Sequence, residues 1–129
     1  MSGGSEAVHS GRELRDRVVQ LAASLGLEVQ TEVPVGRRIY GKRRRIDIVV
    51  RKPHSDKILG IECKYQGRSG TAEEKIAIVL NDIDYWPIPG LVVIDGPGFS
   101  EEVRAYLLAS GKVVEFQHLQ EWLRLFFAL

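Results

Sequence analysis

Two short segments constrain this chain more than any other feature. Residues 45–51 read Arg-Ile-Asp-Ile-Val-Val-Arg, and residues 58–64 read Ile-Leu-Gly-Ile-Glu-Cys-Lys. Both are rich in apolar, β-branched residues, and the Lys-Pro-His-Ser-Asp-Lys stretch between them is turn-like in composition. An antiparallel hairpin is the economical way to join two such strands. With the loop 52–57 placed symmetrically, paired residues sum to 109. Ile48 then faces Ile61, Val50 faces Leu59, Ile46 faces Cys63, and Asp47 lies directly opposite Glu62. Strand side chains alternate between faces. Ile46, Ile48, Val50, Leu59, Ile61 and Cys63 therefore share one apolar face, and Asp47, Glu62 and Lys64 share the other. A slip of one residue would break this sorting, so the pattern specifies its own register.

The rest of the chain supplies cover for the apolar face. Leu14, Val18, Leu21, Ala22 and Leu25 follow the spacing of one buried helical stripe, which predicts a helix over 11–25. Ser10 and Glu13 form a capping box at its start, and Gly26 stops it. A strand over 27–33 follows, ended by Pro34 and Gly36. After the hairpin, Gly67–Gly70 is a flexible connection. A second helix starts at Thr71, with Glu74 completing another capping box and Ile76, Val79, Leu80 and Ile83 on its apolar side. Trp86-Pro-Ile-Pro-Gly90 is a rigid corner in which Trp86 could stack on a base but, standing before Pro87, reads first as a packing anchor. Residues 91–95 are a short apolar strand buried on both faces. Ser100 caps a third helix, with Glu101 and Glu102 at its positive end, and Gly111 stops it. A last strand over 113–116 leads into a terminal helix over 119–127 carrying Leu119, Trp122, Leu123, Phe126 and Phe127. The order α-β-β-β-α-β-α-β-α predicts an α/β fold, a central mixed sheet with helices on both faces. It forms a single domain over 11–129 behind a flexible Ser/Gly tail over 1–10.

Composition removes several function classes. With 129 residues, 44% apolar and 27% charged, the chain can bury a core and is not a disordered polyelectrolyte. No apolar run approaches the ~18 residues of a membrane helix. The first five residues, Met-Ser-Gly-Gly-Ser, lack a charged-then-apolar signal pattern. One cysteine permits neither a disulfide framework nor a Cys-rich zinc site, and a reducing, cytoplasmic setting fits best. His9, His54 and His118 have no metal-like spacing. Gly96-Pro97-Gly98 lacks the Lys-Ser/Thr of a phosphate-binding loop. Cys63, on the apolar face, reads as a small hydrophobe.

Charge points the other way. The net charge of +1 hides an asymmetry: residues 1–70 hold 14 Lys/Arg against 8 Asp/Glu, and residues 71–129 hold 4 against 9. The densest basic stretch contains Arg37, Arg38, Lys42, Arg43, Arg44, Arg45, Arg51 and Lys52, with Asp47 as its single acid. Such a field suits a polyanion, and DNA is the expected partner, held by Arg37, Arg38, Lys42, Arg43, Arg44 and Arg45.

The chemistry centres on the opposed carboxylates. Two acids facing each other on a sheet repel, with Cβ atoms about 5 Å apart. A hard divalent cation offsets that repulsion, and magnesium takes one or two carboxylates while keeping waters for a substrate phosphate. Lys64 lies on the same face, where an amine can orient the attacking water or stabilise developing charge.

Asp47, a gap, and then Glu62-Cys63-Lys64 resembles the motif of the PD-(D/E)XK nuclease superfamily. The element order over roughly 11–95 is similar to that family's αβββαβ core, with the motif on the second and third strands. The resemblance implies that Asp47 and Glu62 bind magnesium, with manganese as substitute, together with the backbone carbonyl of Cys63. It implies that Lys64 serves the attacking water. Ile46 stands where the family often has Pro. Many members add a first-helix Glu, for which Glu13 is the candidate although it already serves the capping box. Some place a Gln after the Lys, which Gln66 matches; with Tyr65 it could contact the scissile strand. The expectation is a magnesium-dependent DNA endonuclease, restriction-like, homing-type or resolvase-like. Its rivals are a nucleic-acid-binding module that kept the fold and an interaction protein without nucleic acid. A homodimer is expected, paired through the terminal apolar helix.

Overall fold

In a computed structural model, which describes residues 10–39, 42–68 and 72–129, the elements follow the expected order. They are α1 (Gly11–Ser24), β1 (Glu28–Ile39), β2 (Lys42–Arg51), β3 (Ile58–Tyr65), α2 (Ala72–Ile83), β4 (Gly90–Asp95), α3 (Glu101–Ala109), β5 (Val113–Glu115) and α4 (Phe116–Phe127). The five strands form one mixed sheet in the order β1-β2-β3-β4-β5. β1, β2 and β3 are antiparallel neighbours, whereas β3, β4 and β5 are parallel. The change of sense falls at β3. β2 and β3 are joined by the short segment 52–57, and the last two strands are reached through helical crossovers, as parallel neighbours require.

Two apolar layers flank the sheet. On one face, Leu14, Val18 and Ala22 of α1 and Leu119, Leu123 and Phe127 of α4 meet Ile48, Val50, Leu59, Ile61, Cys63, Leu91 and Val93. On the other, Ile76 and Ile83 of α2 and Leu107 of α3 meet Val92, Ile94 and Val113. β4 thus gives Leu91 and Val93 to one layer and Val92 and Ile94 to the other, which is why it lacks polar alternation. Each fully buried side chain of this size removes enough apolar surface to contribute about 1.5–3 kcal/mol. No helix among the described residues is long and apolar enough to cross a membrane.

The caps behave as their chemistry demands. Ser10 Oγ accepts from the Glu13 N–H at 3.1 Å, and Ser100 Oγ accepts from the Val103 N–H at 3.2 Å. The expected cap at Thr71 lies outside the described residues. Trp86 is the anchor its surroundings suggest. Gly60 and Gly90 are partners on β3 and β4. A Cβ on Gly60 would stand 2.7 Å from Trp86 Cζ3, and one on Gly90 would stand 2.8 Å from Trp86 Cε3. The two glycines leave a slot, and the indole fills it.

Three expectations change. β1 runs on past Pro34 and Gly36 to Ile39 and β2 starts at Lys42 rather than Arg45, so 34–39 and 42–44 pair as a two-stranded arm. Pro34 pairs with Arg45 and Arg38 with Arg43, with a shift of register between Pro34 and Arg38. Such an irregularity lets a strand accommodate a residue that has no N–H. α4 begins at Phe116, directly after β5, rather than at Leu119. Finally, Ile46 does not join the face of Ile48 and Val50. Its Cγ2 lies 3.2 Å from the Cβ position of Gly60, beside Trp86. The alternation changes phase at Asp47, opposite which Glu32 of β1 adopts a left-handed φ of 55°.

Candidate active site

The hairpin register places the two carboxylates together. The β2–β3 ladder runs from Arg51↔Ile58 to Ile48↔Ile61, the pairing inferred from the sequence, and ends one residue short of Asp47 and Glu62. There the side chains take over from the backbone. Glu62 Oε1 accepts from the Asp47 N–H, and Asp47 Oδ2 accepts from the Cys63 N–H, each at 3.3 Å. Each carboxylate thereby occupies a backbone donor of the opposite strand.

The electrostatics are those of a crowded, half-buried pair. Glu62 is pushed up from the ordinary 4.5 to about 7. Burial is the main cause and the charge of Asp47 the second, offset in part by the Asp47 N–H and by Lys64. Lys64 thus lies near enough to Glu62 for its charge to be felt. The Cys63 thiol is pushed far up by burial and by the same two carboxylates, so it is not a nucleophile. Its side chain belongs to the α1–α4 core layer, while its backbone N–H is the one that Asp47 holds.

A destabilised carboxylate pair is the donor set that a hard divalent cation satisfies. Among the described residues no cluster of three or more His, Cys, Asp or Glu side chains forms a metal cage. The arrangement fits a cation that takes two carboxylates, with the Cys63 carbonyl as the implied third donor, and keeps open positions. Glu13 sits exposed in the first turn of α1, where Ser10 holds its N–H, and does not complete such a cluster.

Gln66 is buried at the end of β3. Its Nε2 donates to the Gly98 carbonyl at 2.9 Å, and its backbone is bonded to Asp95 and Gly98. Its Oε1 is buried with no partner among the described residues. Gly96, at φ 111°, brings the 96–98 turn directly against this backbone, an approach that any side chain would block. Arg104 fastens the turn by donating to the carbonyls of Gly96 and Phe99 while pairing with Glu115 at 3.1 Å. The Gly-Pro-Gly segment is thus a clasp on β3. Tyr65 packs against the core layer rather than standing free.

The basic stretch divides in two. Arg51 pairs with Glu28 at 3.2 Å, and Lys52 donates to the Phe127 carbonyl at 3.0 Å. Lys57 likewise reaches the Phe126 carbonyl and lies over its ring. Lys52 and Lys57 thus close the C-terminal end of α4, and Arg51 is held by β1. Arg45 is different. Its side chain is 55% exposed, and it stands 3.8 Å from Glu32, which Arg15 also holds at 2.8 Å. Arg37, Arg38, Lys42, Arg43 and Arg44 lie along the β1–β2 arm beyond it.

Arg45 also lines a notch of about 150 Å³ with Glu62, Val79, Asp82 and Trp86. No local sequence pattern encodes this notch. Its one signal was Gly60, a glycine inside a strand, which marks close approach by another group. A larger hollow of about 470 Å³, lined by Glu28, Val29, Gln30, Val49, Arg51 and Ile58, holds neither acid of the pair.

Residues 6–123 match the family model described as a PD-(D/E)XK nuclease superfamily domain. The chain belongs to the PD-(D/E)XK nuclease superfamily. PD-(D/E)XK nucleases act on nucleic acid and typically use divalent metals, in keeping with the opposed acids and Lys64. Two solved structures share the fold. One is titled a "Protein of Unknown Function AF1548", at 21% identity with a TM-score of 0.55, covering 81% of this chain and 57% of its own. The other is protein VC1899 from Vibrio cholerae, at 14% identity and a TM-score of 0.54, covering 84% of this chain and 30% of its own. The chain therefore spans little more than half of one neighbour and under a third of the other. No curated protein matches it.

Proposed function

We propose that this superfamily member is a magnesium-dependent DNA endonuclease, with manganese as a working substitute. The observation that carries the reading is the Asp47–Glu62 pair, joined across two strands and carrying a carboxylate raised to about 7, with Lys64 beside it. Asp47, Glu62 and the Cys63 carbonyl would hold the cation, which supplies Lewis acidity toward water and phosphate. Lys64 orients the attacking water and offsets charge on the phosphate oxygens. The water oxygen forms the new bond to phosphorus and gives up a proton to bulk water as the bond to the leaving sugar oxygen breaks, and that oxygen takes up a proton from bulk water. Gln66, clasped to Gly98, fixes the end of β3 and with it the placement of Lys64. Arg45 and the arm residues Arg37, Arg38, Lys42, Arg43 and Arg44 hold the DNA backbone.

Cutting both strands with one site per chain favours a two-fold pair. A pair formed through α4 would use what the fold leaves exposed of its aromatic stripe. Phe127 is fully buried, and Trp122 and Phe126 pack against the chain's own core.

The test is nicking of supercoiled plasmid with magnesium, with manganese, and with chelator. Cleavage that requires the metal and disappears in Asp47→Asn supports the reading. DNA binding without cleavage under every metal replaces it with a binding module that kept the fold.

A further inference from the structure

The notch beside Glu62 has walls unlike the rest of the site. Trp86 is held in the slot over Gly60 and Gly90, with part of its surface left exposed. Gly60 is two residues from Glu62 on the same face of β3, so the indole lies about 7 Å along the strand from a cation-holding carboxylate. Val79 adds an apolar wall, and Arg45 and Asp82 add polar edges. The volume, about 150 Å³, equals the share of roughly five waters, enough for one planar heterocycle and too little for a base pair. Anything entering is within one nucleotide of a phosphate placed at Glu62. Aromatic walls take bases by stacking without regard to sequence, and a base inside a duplex cannot reach such a wall without leaving its stack.

Building on the nuclease reading, we infer that this notch receives an unpaired nucleobase next to the scissile phosphate, stacked on Trp86. The substrate class is DNA with an unpaired nucleotide at the cut: single strands, gaps, flaps or branch points. Arg45, beside Glu32 at the notch mouth, contacts the phosphate that follows that base.

The experiment uses one DNA sequence in three forms: fully paired, unpaired at the cut, and unpaired with an abasic residue there. Parent, Trp86→Phe and Trp86→Leu are compared, with melting curves showing that each is folded. Binding is read by fluorescence anisotropy in chelator and cleavage in magnesium. The parent should prefer the unpaired form over the duplex about tenfold in both readouts and lose that factor on the abasic form. Trp86→Leu should show a preference near one and no penalty for the abasic residue, with Trp86→Phe between. Equal binding of abasic and intact forms by the parent overturns the inference, as does an abasic penalty unchanged in Trp86→Leu. Base-dependent binding with no cleavage under any metal overturns the nuclease reading and leaves the notch assignment standing.

Discussion

The elevated Glu62 pKa makes the metal-free protein lose stability as it is made more alkaline through the acid range. A carboxyl group whose pKa is higher in the folded chain than in the unfolded one contributes fully below the unfolded value. It loses that contribution as pH climbs through the folded value. For Glu62 the window is 4.5 to about 7. At 1.36 kcal/mol per pKa unit the shift sets a ceiling of about 3 kcal/mol. Water reaches this half-buried group, so about 2 kcal/mol is the expected fall. Urea denaturation in chelator across pH 4 to 8 measures it, with Glu62→Gln as reference, since groups remote from the pair titrate alike in both chains. The parent should lose about 2 kcal/mol relative to Glu62→Gln between the two ends. Asp47→Asn removes the second cause of the shift but not burial, so its fall should be smaller and still present. Parent and Glu62→Gln curves that stay parallel would show that Glu62 titrates as an ordinary acid and refute the picture of a strained pair.

Other outcomes follow from the same geometry. Asp47→Asn and Glu62→Gln should each abolish metal-dependent cleavage with the fold intact, whereas Lys64→Ala should abolish cleavage and still bind manganese in calorimetry, because an ammonium is not a ligand. Replacing Arg43 and Arg44 together by Ala should weaken DNA binding for all sequences and reduce the slope of log affinity against log salt by about 2. Gly60→Ala should cost about 1–3 kcal/mol in thermal denaturation, since its Cβ would stand 2.7 Å from Trp86 Cζ3.

The hairpin was legible in the sequence because two independent patterns agree there. The period-2 run of branched apolar residues sets the register, and at its end Asp47 and Glu62 come together, each accepting an N–H of the other's strand. The helix caps at Ser10 and Ser100 were legible for an equally local reason. What was hidden depends on partners far along the chain. The phase change that turns Ile46 toward Gly60 goes with Glu32, fifteen residues upstream of Asp47, leaving the usual backbone region. The β1–β2 arm was hidden because Pro34, Gly36 and a dense run of charge read as loop, while its pairing is made by backbone groups. The notch needs α2 and Trp86 laid against β3, which no local pattern encodes. Lys52 looked like part of a phosphate surface until the end of α4 arrived beneath it.

The two bonds from the Asp47 and Cys63 N–H groups to the opposing carboxylates carry a spectroscopic consequence. These amide protons are shielded from exchange by side chains rather than by sheet carbonyls, so their protection follows the acids and not the sheet. Any cation that draws Asp47 or Glu62 into its own shell competes with those two amides and leaves their neighbours at Ile48 and Ile61 undisturbed. Two nitrogen–proton resonances, at 47 and 63, thus form a reporter of site occupancy that the fold carries without any label placed in the site.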